Sequence, residues 1–325
     1  MAQAVILESF GAPEVMKLVD MKLVDPGDFD VQVENIAIEV NFIDLLQRSG
    51  AHPIKNSNKI PGVSAVGRIT KLGSAVKGYK LNDVVAYTTF DNAGAYCSIR
   101  NIHNQLLLNV PPQISPKTMA ACFYKGLAAQ YLCCRTFIAR PNISVLVHVA
   151  SGGVGGLIAG WCKSMGAQVI GTIGNEEKRK AALNNGCDTV INYSDGGWLE
   201  KVLEATNNIG VNVVYNGLGG STFDDSMACL MPRGTMVLFG NVSGNVAELD
   251  MKMISAKSLF FTRPSIAHYK RNRMELLLGF NELCSKIIDG SIKVTAPIEF
   301  KLSEVVDVHK LLESRKNQAS VVLVP

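Results

Sequence analysis

From Asp30 the chain alternates polar and apolar positions, Asp30-Val31-Gln32-Val33-Glu34-Asn35, the period of a strand with one buried face. Further short strands are predicted at 63–72, 83–87, 95–99 and 105–110. The turn clusters Pro61-Gly62, Leu72-Gly73-Ser74 and Asn92-Ala93-Gly94 separate them. Many short strands with few helices predict a partly closed β structure. The tandem pentapeptide MKLVD, at 16–20 and 21–25, is too short to be a structural repeat.

The texture changes after Pro111-Pro112. Ser115-Pro116 places an N-cap residue before Pro at the first helical position, so a helix is expected from there towards Leu132. Beyond it, strands at 144–150, 168–173, 189–192, 211–216 and 235–239 alternate with helices at 153–165, 176–184, 198–206 and 222–230. Near-continuous Val/Ile runs bounded by helices are what a parallel sheet covered on both faces requires. This block reads as a doubly wound α/β domain. The last stretch, opened by the basic run Lys270-Arg271-Asn272-Arg273, holds two helix candidates and short strands ending at 321–324. That is too little for a domain, and it is expected to return to the β-rich first part, with the basic run a solvated loop.

Composition narrows the class. In 325 residues, 47% are hydrophobic and 18% charged, with mean hydropathy +0.17. Such a chain folds without staples, and its length suits about two domains. The net charge of +4 is too small and too scattered for a dedicated nucleic-acid binder, and no nucleic-acid partner is expected. No run approaches the ~18–20 apolar residues of a membrane span. Glu8 interrupts the N-terminus too early for a secretory leader. Eight cysteines without C-x-x-C spacing suit reduced thiols, so a cytoplasmic protein is expected.

The chemistry starts at Ala150-Ser151-Gly152-Gly153-Val154-Gly155, between a strand and a helix. It is the G-x-G-x-x-G dinucleotide fingerprint with Ala in first place. Small residues let the backbone approach a pyrophosphate held at the helix N-terminus. About 20 residues on, NAD-binding folds place an acid at the tip of the second strand for the ribose 2′-hydroxyl. Here that tip reads Ile173-Gly174-Asn175, with Lys178 and Arg179 one turn later. Neutral donors followed by cations suit a 2′-phosphate, so NADPH is the expected cofactor. Glu176 and Glu177 oppose this, unless they serve only the helix dipole.

With these motifs stand Gly11-Ala12-Pro13-Glu14-Val15, Asn41-Phe42-Ile43-Asp44, Lys125-Gly126-Leu127, Val190-Ile191-Asn192-Tyr193, Phe239-Gly240-Asn241, Thr262-Arg263-Pro264-Ser265 and Leu312-Glu313-Ser314-Arg315. In this order, along essentially the whole chain, they resemble the zinc-free, zeta-crystallin-like quinone oxidoreductases of the medium-chain dehydrogenase/reductase superfamily. The resemblance implies a GroES-like β-rich catalytic domain (1–125, completed by 266–325) and a Rossmann NADPH-binding domain (126–265), with the active site in the cleft. It also implies a homodimer or homotetramer. By position, Gly152, Gly153, Val154 and Gly155 would hold the pyrophosphate. Lys178, Tyr193 and Arg315 would hold the adenosine 2′-phosphate, with Gly174 and Asn175 of the strand tip also counted among the cofactor-binding residues. Asn41, Phe42, Asn216, Gly217, Phe239, Gly240 and Asn241 would line the nicotinamide half.

No metal is expected. Zinc-dependent relatives need Cys, His or Glu ligands where this chain has residues 41–44 and Val63-Ser64, and Cys97 is the only cysteine before Cys122. Without a Lewis acid, alcohol oxidation loses its usual help. Reduction of a quinone, by hydride or single electrons from nicotinamide C4, is the expected chemistry. Asn41 and Lys125 are the candidates to hold the acceptor oxygen. Asn41 also reads as a turn residue ending a strand over 31–40, and Lys125 as a surface lysine. Relatives often carry Tyr at the places of Leu46 and His52; His52 is either a proton donor or a loop residue beside Pro53. Two other functions stay open: reduction of enones or 2-alkenals, and a non-catalytic, NADPH-sensitive RNA-binding or structural role.

Overall fold

The computed structural model describes residues 2–325 apart from 55, 57, 58, 91, 247, 316 and 318. The chain divides into two compact units, Met1–Lys125 with Arg271–Cys284 and Val294–Pro325, and Gly126–Lys270 with Ser285–Lys293.

In the first unit β1 (Ala2–Leu7) pairs antiparallel with β2 (Met16–Met21). The alternation at Asp30 becomes the ten-residue β3 (Asp30–Glu39). It is followed by α1 (Phe42–Ser49), β4 (Ser64–Leu72), β5 (Val84–Thr88), β6 (Ile99–His103), β7 (Leu107–Asn109) and α2 (Pro116–Tyr131), whose Lys125 ends the unit's first segment. Alternate β3 to β5 residues such as Val31, Val33, Ile69, Val85 and Tyr87 fill the core.

Two features depart from the sequence pattern. The strand expected at 95–99 is a buried loop, and pairing with β3 starts only at Ile99. Its carbonyls are satisfied off the ladder: Asn35 Nδ2 donates to the oxygens of Ala95 (3.2 Å) and Cys97 (2.7 Å). The helix α1 has no counterpart in the apolar pattern, because its buried face carries Asp44, Gln47 and Arg48 beside Leu45. Gly50, at φ 84°, ends it in the left-handed conformation that glycine adopts freely.

The second unit alternates β8 (Ser144–Val147), α3 (Gly153–Ser164), β9 (Gln168–Ile173), α4 (Arg179–Asn184), β10 (Thr189–Asn192), α5 (Trp198–Ala205), β11 (Val211–Asn216), α6 (Phe223–Ala228), β12 (Leu230–Leu238), α7 (Met251–Lys257) and β13 (Phe260–Thr262). A short α8 (Ile266–Tyr269) follows. The six strands are all parallel in the order β10-β9-β8-β11-β12-β13. That is the doubly wound order 3-2-1-4-5-6, in which ligands bind beyond the carboxyl ends of the strands where the order reverses.

After α9 (Arg273–Ile288) come β14 (Ile298–Lys301), α10 (Val305–Ser314) and β15 (Val321–Val324). β15 pairs antiparallel with β3, Val322 opposite Glu39, giving the first unit's sheet the order β14-β15-β3-β4-β5-β7 with β6 also on β3. Residues 266–270 and 285–293 group with the second unit instead of the first. The basic run is only partly a solvated loop: Arg271 and Asn272 are exposed, while Lys270 is buried and Arg273 half-buried at the start of α9. Lys270 is buried and donates to Gln130 Oε1 (2.5 Å), Arg271 pairs with Glu275 (3.1 Å), and Arg273 donates to Gln105 O (2.7 Å) and Tyr79 Oη (2.9 Å).

Candidate functional site

The fingerprint turn lies where β8 gives way to α3. Val149 sits there at φ 57°, a conformation that β-branched residues rarely adopt. Neighbouring bonds hold it: His148 N–H to Tyr215 O (3.1 Å), Ala150 N–H to Thr172 O (3.0 Å) and Gly152 N–H to Val149 O (2.8 Å). His148 is a buried core residue with both ring nitrogens bonded, to Thr172 Oγ1 and Ser226 Oγ at 2.8 Å each. Burial pushes its pKa down to about 3, so it is neutral. Gly155 brings α3 against this turn: a Cβ there would lie 2.3 Å from Val149 O. Gly153, the first residue of α3, is exposed, while Gly152 and Val154 are half-buried. The first-turn amides of a helix have no intrahelical acceptor and carry its positive end, so this cradle suits a pyrophosphate.

Beside it, β9 and β10 end level, Asn192 opposite Ile173. Tyr193 lies across Gly174, where a Cβ would come within 2.4 Å of its hydroxyl. Asn175 caps a 3₁₀ turn (Glu176–Lys178) by accepting the Glu177 N–H at 2.9 Å, and Lys178 is half-buried at its end. Arg179 forms an ion pair with Glu176, whose carboxyl it holds below the usual range, and donates to Val190 O (2.6 Å). Of the two acids that opposed a 2′-phosphate, Glu176 thus already has its counter-charge.

At the ends of β11 and β12, Asn216, Gly217, Phe239, Gly240 and Asn241 come together. Phe239 N–H donates to Asn216 O (2.9 Å), and a Cβ at Gly217 would meet the Phe239 ring at 2.7 Å. The Asn216 side chain is wholly buried. It donates to Thr222 Oγ1 (3.1 Å) and accepts from the amides of Leu218 and Gly219 (2.9 Å each). It therefore shapes this loop from within. Asn241 Nδ2 donates to Asn245 Oδ1 (2.7 Å).

The first unit holds the other group. Asn41 is the N-cap of α1, buried, its N–H donating to Asp44 Oδ2 (2.7 Å) and its Nδ2 to Ser64 Oγ (3.3 Å). Phe42 and Leu46, one turn apart on α1, are exposed and half-buried. Lys125 is no surface lysine. Its ammonium lies 3.1 Å from Glu39 Oε1 and donates to Ala121 O (3.4 Å), with only 11% of its side chain exposed. Under α1, Tyr96 donates to Asp44 Oδ2 (3.2 Å) and meets His309 Nε2 at 3.1 Å. Burial lifts the Asp44 carboxyl to about 7, against the Asn41 N–H and the Tyr96 hydroxyl. His309, pushed down to about 3 by burial and by Arg48, is neutral. With the Tyr96 hydrogen given to Asp44, the His309 hydrogen is assigned to Nε2.

His52 lies half-buried in the loop after α1, its N–H on Leu46 O (3.0 Å). Arg315 caps the C-terminus of α10, exposed, at φ 56°. Sequence reasoning missed Glu39, and it missed the Asp44–Tyr96–His309 chain. The one available signal for Glu39 was an acid in the apolar run Ile36-Ala37-Ile38-Glu39-Val40.

These donors do not fit zinc. At the expected ligand positions stand the Asn41 amide, bonded to the Ser64 hydroxyl, and the Asp44 carboxyl, taken by the Asn41 N–H and the Tyr96 hydroxyl. Among the described residues no group of three His, Cys, Asp or Glu could hold a metal.

Two family profiles match the chain, the alcohol dehydrogenase GroES-like domain over 27–142 and the zinc-binding dehydrogenase over 153–279. Quinone oxidoreductase 1 of Escherichia coli is 40% identical over the full length of both chains. A 2-haloacrylate reductase from a Burkholderia species is 33% identical over 100% of this chain and 99% of its own. The crystal structure of the E. coli quinone oxidoreductase complexed with NADPH superposes with a TM-score of 0.95 at 39% identity, covering 99% of this chain and all of the other. With its GroES-like and Rossmann domains, the chain belongs to the zeta-crystallin-like quinone oxidoreductases of the medium-chain dehydrogenase/reductase superfamily.

Proposed function

We propose that this protein reduces quinones and activated enones with NADPH, using Asn41 and Lys125 to hold the acceptor oxygen. The observation that carries the reading is the tip of β9. A glycine, a neutral cap and Lys178 stand where an NAD site needs an acid, and Glu176, one of the two acids beyond it, is paired with Arg179. When bound, NADPH supplies a hydride, or single electrons, from nicotinamide C4. The chain's part is binding and orientation. The α3 amides hold the pyrophosphate, while Gly174, Asn175, Lys178, Tyr193 and Arg315 select the 2′-phosphate. Phe42, Asn216, Gly217, Phe239, Gly240 and Asn241 place the nicotinamide. As the acceptor oxygen gains negative charge, the Lys125 ammonium and the Asn41 amide stabilise it, and His52 is the candidate to supply its proton.

The test is turnover with NADPH against a quinone and against a 2-haloacrylate at matched concentrations. Wild-type reduction of either, with large kcat losses in Lys125→Met and Asn41→Ala, supports the assignment. Undiminished kcat in both variants removes it. The eight free thiols, seven of them buried, support a reducing, cytoplasmic setting. The open edge of β13, where Phe260 is 62% exposed, supports a homodimer, or a homotetramer built from it.

A further inference from the structure

The two donors share one neighbour. Glu39, at the end of β3, is fully buried between Ile38 and Val40. Its Oε1 takes the Lys125 ammonium at 3.1 Å. Its Oε2 accepts the Ser64 hydroxyl at 2.7 Å and the Tyr124 N–H at 2.8 Å. Ser64 Oγ in turn accepts from Asn41 Nδ2 at 3.3 Å. We propose that Glu39 is the positioning residue of the acceptor site, its single carboxylate aiming Lys125 directly and Asn41 through Ser64. This rests on the reading that Lys125 and Asn41 hold the acceptor oxygen.

The sheet does not need an acid here. Glu39 pairs with Val322 through its backbone, as any strand residue would. A carboxylate buried among apolar side chains persists only when its charge and lone pairs are met, and here three donors meet them. The pairing has two effects on Lys125. It cancels the ammonium's charge in the resting site, which makes a buried lysine tenable. It also fixes the direction of the group. Among the described residues, Glu39 and Ala121 O take two of the three N–H bonds, and the third is left for the partly open side. On the other branch, Ser64 uses its hydrogen on Glu39, so its oxygen can only accept from Asn41. That orients the amide with its NH₂ towards Ser64.

The experiment is a double-mutant cycle on the full-length enzyme with NADPH and 1,4-benzoquinone. Glu39→Gln, which keeps shape and loses charge, is made alone and in the Lys125→Met background. Melting temperature and NADPH affinity are recorded for every variant. Glu39→Gln is expected to lower kcat by about 10–100-fold, with KM for NADPH unchanged. In the Lys125→Met background the same change is expected to cost far less, because a residue that acts through another has nothing left to aim. Equal factors in both backgrounds, or an undiminished kcat in Glu39→Gln, overturn the proposal. An undiminished kcat in Lys125→Met overturns the donor assignment of Lys125 instead. Glu39→Gln is then judged by its cycle with Asn41→Ala, where additive factors overturn the proposal. If Glu39→Gln fails to fold, Ser64→Ala decides: kcat falls with KM for NADPH kept, or the Asn41 branch is wrong.

Discussion

In the proposed cofactor site, Lys178 favours NADPH through its charge. It ends the 3₁₀ turn beyond β9, past a strand tip without a carboxylate. A charge-assisted contact to a phosphate is worth about 1.5–3 kcal/mol, roughly 10–100-fold in affinity. Lys178→Ala should therefore weaken NADPH by that factor in a fluorescence titration and leave NADH nearly unchanged. Equal losses for both would contradict the assigned role. Asp44 makes a prediction in pH. Its folded pKa, about 7, lies above the ordinary 3.8, so the folded state holds this proton more tightly than the unfolded chain. The stability it contributes is full below the ordinary value and is lost as pH rises through about 7. His309 acts in the opposite sense, losing its contribution as pH falls below the ordinary 6.5 towards about 3. Asp44→Asn removes the first effect and leaves the second. Its melting temperature relative to wild type is expected to climb from roughly pH 5 to pH 8. A deficit that widens over that range would show a carboxylate the fold prefers charged.

At the scale of elements, the strand-to-helix turn proposed as the phosphate cradle was legible because its geometry is set by the backbone. Small residues between a strand and a helix, at 150–155, specify the turn locally. The helix α1 was not legible. Its inward face is Asp44, Gln47 and Arg48, whose burial depends on partners such as Tyr96 and Glu313, 52 and 265 residues away. The expected strand at 95–99 failed for a similar reason: Asn35, about 60 residues earlier, takes the carbonyls a ladder would have used. Glu39 was missed because its meaning lies in Lys125, 86 residues on. The cradle itself can be tested apart from stability. An acid at the first residue of α3 favours the helix dipole by about 0.3–1 kcal/mol but repels a pyrophosphate. Gly153→Asp, at an exposed position, should keep or slightly raise the melting temperature while abolishing NADPH binding. Retained binding would move the pyrophosphate elsewhere.

For the whole molecule, assembly and activity are separate predictions. Among the described strands β13 bonds to β12 alone, and Phe260 on it is exposed, so Phe260→Lys should convert the proposed dimer to monomer in light scattering. An unchanged mass would place the interface on another surface. Activity is more central. Two family profiles cover much of the chain, and one carries zinc in its description, yet the proposed acceptor site reads Asn41, Ser64, Glu39 and Lys125. The proposed chemistry is therefore a metal-free reduction driven by NADPH. The direct test is the steady-state rate of NADPH oxidation at 340 nm with 1,4-benzoquinone or 9,10-phenanthrenequinone, set against NADH, before and after exhaustive chelation. Rapid turnover that prefers NADPH and survives the chelator is the predicted result. Turnover that prefers NADH, or that is lost on chelation and restored by zinc, would contradict it.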